Sequence, residues 1–181
     1  MINQQLLHPE SIVIIGGSNN VHKPGGAIVR NIIQGGYKGI LRIVNPKEDE
    51  VQGIKVFHDV KEVPPTDLAV MVVAAKYCPD YVEYLAAEKK VRAFIIISAG
   101  FGEETKEGAV LEEKILNTCE KYNAALIGPN CIGLMNDWHH TLVVRAQDQD
   151  TDGRQTSELL LEHPRKLHHG RRSLQGDVLQ G

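Results

Sequence analysis

Aromatic residues are scarce: Phe, Trp and Tyr make up 5% of 181 positions, and the single tryptophan is Trp138. Cysteine is scarcer still, with Cys78, Cys119 and Cys131 far apart and in no CxxC pair. That spacing excludes a disulfide framework and a structural zinc site, and it points to a reducing, cytoplasmic setting. No apolar run approaches the roughly 18 residues of a membrane span, and the mean hydropathy is −0.22. The opening Met1-Ile2-Asn3-Gln4-Gln5 has neither a basic stretch nor an apolar one, so it does not read as a signal peptide. An excess of one charge is missing too. Twenty Lys and Arg stand against 23 Asp and Glu, for a net charge of −3. Without clustered positive charge there is no electrostatic case for a nucleic-acid partner or an anionic membrane.

What is present suffices for a core. Hydrophobic residues are 42% of the chain, and the length fits one compact unit at roughly 100–200 residues per domain. Their distribution is uneven. Ile, Val, Leu and Ala come in short blocks up to Asn136, whereas Ile, Phe, Tyr and Trp are absent from Thr141 to Gly181. A turn-prone acidic stretch, 147–153, separates Val143-Val144 from Leu159-Leu160-Leu161. Such a segment buries too little apolar area to offset the entropy of ordering it. The expectation is a domain over residues 1–140 and a disordered or out-of-family tail over 141–181, with Leu159-Leu160-Leu161 as its one candidate for a short helix. Two explanations fit the break: a truncated or frame-shifted gene product, or a natural short protein with a tail. The abrupt loss of aromatics and isoleucine favours the first, and the other two reading frames beyond codon 141 would test it.

Within 1–140, Ser11 to Gly16, Leu41 to Asn45, Leu68 to Ala74, Ala93 to Ser98 and Ala124 to Gly128 read as strands buried on both faces. Ile28, Val29, Ile32 and Ile33 recur at helical spacing until Gly35-Gly36. A second helix begins at Pro79-Asp80, and a third begins near Thr105 and carries Leu111, Ile115, Cys119 and Tyr122 on one face. The stretch 51–65 reads as irregular, with one helical turn at Asp59–Val63. Continuous apolar strands alternating with helices specify an α/β fold, a doubly wound parallel sheet of Rossmann type.

In such sheets the ligand sits at the carboxyl ends of the strands, which selects five loops. The first, Gly16-Gly17-Ser18-Asn19 through Lys23-Pro24-Gly25-Gly26, precedes a helix whose N–H groups and positive dipole end suit a phosphate. It is not G-x-G-x-x-G, and a plain tight turn into a helix is the competing reading. The second, Asn45-Pro46-Lys47, lacks the acid that a NAD site places there for the ribose. Lys47 suits a phosphate near the ribose, as in CoA or NADP, or is simply a solvated surface lysine.

With Ala74-Ala75-Lys76, Ser98-Ala99-Gly100-Phe101-Gly102-Glu103 and Gly128-Pro129-Asn130-Cys131-Ile132-Gly133, these loops form a series from Leu6 to Asn136. It resembles the N-terminal CoA-binding domain of NDP-forming acyl-CoA synthetases, above all ADP-forming acetate–CoA ligase, and also the succinyl-CoA synthetase α subunit. The resemblance implies coenzyme A as ligand. It implies that Gly16, Gly17, Ser18, Asn19, Lys23, Gly25 and Gly26 hold CoA phosphates and that Lys47 meets the nucleotide phosphate end. Ala74, Ala75, Ser98, Ala99 and Gly100 would border adenosine and pantetheine, with Asn130 nearest the reacting end. Family members make a thioester from an acyl phosphate, using a phosphohistidine on a flavodoxin-like domain and an ATP-grasp domain or subunit. Neither fits in this chain, so both are expected as partners and the chain alone is expected to be inactive.

No catalytic residue is assigned: Cys131 reads as an inert thiol. No metal site is assigned either, because His139-His140 has no third ligand nearby, and His163, His168 and His169 lack the glycine-rich context of a phosphohistidine. The alternatives are a stand-alone, non-enzymatic CoA-binding protein and, further off, an NADP-binding Rossmann domain. Strand edges and the face a neighbouring domain would cover leave room for a homo-oligomer.

Overall fold

The computed structural model describes residues 2–141; the expected tail and the Leu159-Leu160-Leu161 helix lie outside them. A short α1 (Gln4–Leu7) leads into β1 (Ser11–Ile15), followed by α2 (Pro24–Gln34) and β2 (Ile40–Val44). A hairpin of β3 (Glu50–Val51) and β4 (Ile54–Lys55) comes next, then β5 (Leu68–Met71), α3 (Cys78–Glu88), β6 (Ala93–Ile96), α4 (Lys106–Lys121) and β7 (Ala125–Ile127). The strand order β2-β1-β5-β6-β7 is parallel throughout. It is the doubly wound order, in which the chain runs outward to one edge and then back across β1 to the other. No described helix is long and apolar enough to cross a membrane.

The apolar strands divide their residues between two layers with the period of two that a strand imposes. Val13, Ile15, Ala69, Met71, Phe94 and Ile96 face α3 and α4, meeting Val82, Leu85, Ile115 and Cys119. Ile12, Ile14, Val70 and Ile95 face the other way, toward Ile28, Val29 and Ile32 of α2 and Leu6 of α1. β1, β5 and β6 are buried along their whole length, which is why both faces demand apolar residues and the runs look unbroken.

Three differences from the sequence-based expectation have physical causes. The third and fourth strands end at Met71 and Ile96, short of Ala74 and Ser98, because the chain there turns away as loops. The stretch read as irregular contains the β3–β4 hairpin, paired Glu50 with Lys55 and Val51 with Ile54, as well as the anticipated helical turn, a 3₁₀ turn at Val60–Glu62. Two residues per strand are too few to show an alternation. Helix α1 was not anticipated; Asn3 caps it by accepting from the Leu6 N–H at 2.9 Å, and its packing comes from Leu6, which is fully buried.

The chain after β7 closes the structure at the far end of the sheet. Asn136 Nδ2 donates to Leu7 O (2.9 Å), Trp138 Nε1 to Pro9 O (2.8 Å) and His139 Nε2 to Leu6 O (2.8 Å). This strap, residues 134–141, places His139 and Thr141 in the interior. His139 Nδ1 is buried without a partner, so the ring is held as the neutral Nε2–H tautomer. Burial pushes its pKa down.

Candidate functional site

The carboxyl ends of β1 and β5 mark where the strand order reverses, and a cleft of about 510 Å³ opens there. Gly16, Ser18, Lys23, Pro24 and Gly25 form one side; Val72, Val73, Ala74, Ile97, Ser98 and Ala99 form the other. Seven of the fourteen residues selected from the sequence therefore share one cavity. Lys23 is the sole ionisable residue in its lining. A site with one cation, several glycines and an apolar wall suits an anionic ligand that also carries hydrocarbon.

The first side is built by close approach. A Cβ on Gly16 would lie 2.5 Å from Val72 O, across the reversal point, and Gly16 has φ +94°. A Cβ on Gly25 would lie 2.2 Å from Gly16 O. These two glycines let the start of α2 press against the end of β1. Gly17 and Gly26 do not line the cleft: a Cβ on Gly17 would meet Ile43 at 2.6 Å, and one on Gly26 would meet Asn20 O at 2.1 Å.

Helix α2 is bare at its amino end. It has no side-chain cap and no acid in its first turn, and Pro24 occupies an early position. Helix α3 also lacks a side-chain cap and carries an early proline, but it has Asp80 in its first turn. By contrast Thr105 caps α4, accepting from Gly108 N–H at 2.9 Å, with Glu107 in the first turn. The N–H groups of Gly26 and Ala27 both reach Lys23 O (3.0 and 2.9 Å), while those of Ser18, Asn19 and Gly25 donate to nothing among the described residues. Unpaired N–H groups at a helix start are the elementary parts of an anion site.

The loop's side chains are largely committed elsewhere. Asn19 Nδ2 donates to Glu48 and to Glu50 O (2.8 Å), and its Oδ1 accepts from Gln52 N (2.8 Å). Ser18 Oγ accepts from Asn20 N–H (3.1 Å). Asn45 Nδ2 donates to Gly17 O at 2.8 Å, and Asn45 Oδ1 accepts from Lys47 N–H at 2.9 Å. Lys47 is thus fixed through its backbone, with its side chain exposed on the loop beside the cleft rather than in its lining.

The opposite side is cross-tied as well. Ser98 Oγ donates to Val73 O, and Asn130 N–H donates to Ser98 O (3.0 Å), linking the loops after β5, β6 and β7. Gly100, with φ +98°, donates its N–H to Glu103 (2.9 Å), and Ala75 is buried against the α3–α4 layer. Asn130 sits in left-handed backbone with φ +51°. Neither Gly100, Ala75 nor Asn130 lines the cleft. Cys131 Sγ donates to Ile96 O at 3.2 Å, and burial pushes its pKa up. Cys78 and Cys119 are pushed up to about 11 for the same reason. Such thiols stay protonated at neutral pH and make poor nucleophiles.

Sequence reasoning missed Val72, Val73 and Ile97 in the lining and Gln52 behind it, and it quoted Pro24 and Asn45 in the loops without giving them a role. The wall residues are ordinary strand-end aliphatics with no distinguishing signal. A glycine after Gln52 was the one hint of a turn there. A second depression of about 680 Å³ lies beside the hairpin among Asp49, Lys55, Val56, Phe57, His58 and Glu62. Among the described residues no three His, Cys, Asp or Glu are grouped to hold a metal ion.

Residues 10–137 match the CoA binding domain family. The α subunit of ADP-forming acetate–CoA ligase II from Pyrococcus furiosus is 40% identical over 132 residues, covering 71% of this chain and 28% of that protein. ADP-forming acetate–CoA ligase II from Archaeoglobus fulgidus is 34% identical over 134 residues, covering 74% of this chain and 20% of the relative. Among solved structures, the dinucleotide forming acetyl-coenzyme A synthetase 1 of Ca. Korarchaeum cryptofilum, in complex with phosphate and ADP, superposes with a TM-score of 0.69. It is 28% identical, and the match covers 77% of this chain and 30% of that one. The chain thus spans less than a third of the length of these relatives. It belongs to the CoA-binding domain family.

Proposed function

We propose, from that membership, that the chain is the CoA-binding part of an ADP-forming acyl-CoA ligase, holding CoA while other domains or subunits handle the acyl group and the nucleotide. The cleft at the strand reversal carries the proposal, with Lys23 as its one charge and three open N–H groups at its rim. In this reading Gly16, Ser18, Lys23 and Gly25 receive the diphosphate, and Asn19 contributes its backbone N–H. Lys47, exposed on the adjacent loop, meets the 3′-phosphate. Val73, Ala74, Ser98 and Ala99 flank the pantetheine arm, with Ala75 and Gly100 shaping the loops behind them and Asn130 nearest the thiol end.

Bound CoA would supply the thiol that becomes the thioester. The chain's own residues contribute position, which is the part of catalysis that converts a bimolecular encounter into a local one. Burial keeps Cys131 protonated, so it offers no competing thiolate. A phosphohistidine-bearing domain and an ATP-grasp domain are the proposed partners, and three free thiols fit a reducing, cytoplasmic compartment.

Calorimetric titration of the purified chain with CoA, NADP and NAD tests the proposal. Saturable binding of CoA alone is the expected result. Binding of NADP without CoA would overturn it. Acid- and nucleotide-dependent thioester formation after adding the missing domains of a relative would separate a synthetase module from a stand-alone CoA-binding protein.

A further inference from the structure

We infer that Gln52, at the tip of the β3–β4 hairpin, is a positioning residue for the diphosphate of CoA, acting through the peptide that joins Ser18 to Asn19. The inference rests on the CoA reading above and adds to it a residue outside the cleft.

The turn itself motivates the inference. Gln52 and Gly53 have φ of +51° and +84° and connect the Val51–Ile54 pair, which is a two-residue type I′ turn. Asn or Asp is the preferred residue at its first position, because a short polar side chain tolerates left-handed backbone. Glutamine lacks that advantage, so the turn alone does not account for it.

Its amide accounts for it. Nε2 donates to Ser18 O (3.0 Å) and to Gly26 O (2.9 Å), and the Gln52 N–H donates to Asn19 Oδ1 (2.8 Å). One residue thus grips the loop at Ser18, Asn19 and the first turn of α2. Asn45 Nδ2 does the same for Gly17 O. In a planar trans peptide the C=O and N–H point in opposite directions. With the Gly17 carbonyl drawn toward Asn45 and the Ser18 carbonyl toward Gln52, the Ser18 N–H faces away from Asn45 and the Asn19 N–H faces away from the hairpin. Those N–H groups have no acceptor among the described residues, and Ser18 lines the cleft while Gln52 does not. Gln52 therefore fixes the orientation of the Asn19 donor, as Asn45 fixes that of the Ser18 donor, without touching the ligand. Releasing the Ser18 carbonyl would let that peptide rotate and lose its aim at an anion.

Gln52→Asn separates this role from hairpin stability. It creates Asn-Gly, the favoured type I′ pair, yet withdraws the amide by one methylene from Ser18 O and Gly26 O. Tested in the full chain, it is expected to keep or raise the thermal midpoint while weakening CoA by about tenfold, the order expected for losing two modest hydrogen bonds. Dephospho-CoA, which retains the diphosphate, should weaken by the same factor. The Ser18 and Asn19 amide resonances of the ¹⁵N-labelled chain should shift on CoA addition, and that of Asn19 should shift less at matched saturation in the variant. Gln52→Met, of similar length but without a donor, should show the same loss. Unchanged CoA affinity in folded Gln52→Asn overturns the inference, even if Gln52→Met is unstable. So does a loss confined to CoA with dephospho-CoA spared. If the unsubstituted chain fails to bind CoA, the first titration shows it, and both the CoA reading and the inference fall.

Discussion

The two ends of the sheet treat their polar groups in opposite ways. At the amino end donors and acceptors are paired, His139 Nδ1 excepted. Asp67 Oδ2 accepts from Glu10 N, Ser11 N and Ser11 Oγ (2.9, 3.0 and 3.2 Å), Tyr37 Oη donates to Pro9 O, and the 134–141 strap occupies the carbonyls of Leu6, Leu7 and Pro9. At the carboxyl end the carbonyls are held from behind and N–H groups are left open. A buried donor without a partner costs stability, so open donors persist at a water-filled cleft, where solvent or a ligand can satisfy them. The division assigns stability to one end and recognition to the other.

The sharpest way to break that division is Gly25→Val. Its Cβ would meet Gly16 O at 2.2 Å, forcing α2 from β1, and CoA affinity should fall by roughly 100-fold or more as the packed loop is displaced. Calorimetry measures the loss; an affinity within threefold of the parent would show that the approach of α2 is not needed for binding. At the opposite end Asp67→Ala should lower stability by about 1.5–3 kcal/mol, since it removes charge-assisted bonds to backbone N–H groups. Urea unfolding reads that change. CoA affinity of the folded protein should stay as it was, and a parallel loss of affinity would mean that the two ends are coupled.

His139 supplies a pH test of the same end. Its folded pKa lies below the unfolded value of about 6.5, so below that pH the unfolded chain takes up the proton more readily. Stability is therefore full above pH 6.5 and declines as the pH drops through that value toward the folded pKa. His139→Gln keeps a donor for Leu6 O and should flatten the dependence of the urea midpoint between pH 7 and 5. An equally steep variant would assign the acid sensitivity to other groups. The smallest expected effect is that of Lys47→Ala, which should weaken CoA about fivefold more than dephospho-CoA, as an exposed charge pair is screened. Equal losses would remove Lys47 from the 3′-phosphate.

The same contrast explains what was legible in the sequence. Ile12-Val13-Ile14-Ile15 and Phe94-Ile95-Ile96 are apolar on both faces because both faces are buried, so strands and layers could be read directly. The cleft was legible through Gly16 and Ser98, just past strand ends where doubly wound sheets bind ligands, and through Gly25 at the start of α2. The supports behind the loop were not. Gln52 meets Ser18 and Gly26 across separations of 34 and 26 residues, and no local period announces a bond made by folding a hairpin back onto a loop. Helix α1 was illegible for a related reason: four residues cannot hold a helix by propensity, and its bonding partners, Arg92 and the strap residues 136–139, lie far along the chain.

Those partners set an order of events during synthesis. The strap bonds reach from Asn136, Trp138 and His139 to Leu6, Leu7 and Pro9 across 129 to 133 residues. The α1 segment therefore lacks these three bonds until almost all of the domain has left the ribosome, although Asn3 can bond Arg92 O earlier. The sheet can assemble from β1 outward before then, since each added strand finds its neighbour already made. Closure of the amino end comes last, so a chain arrested before residue 134 would carry a nearly complete ligand cleft on a body still open at its base.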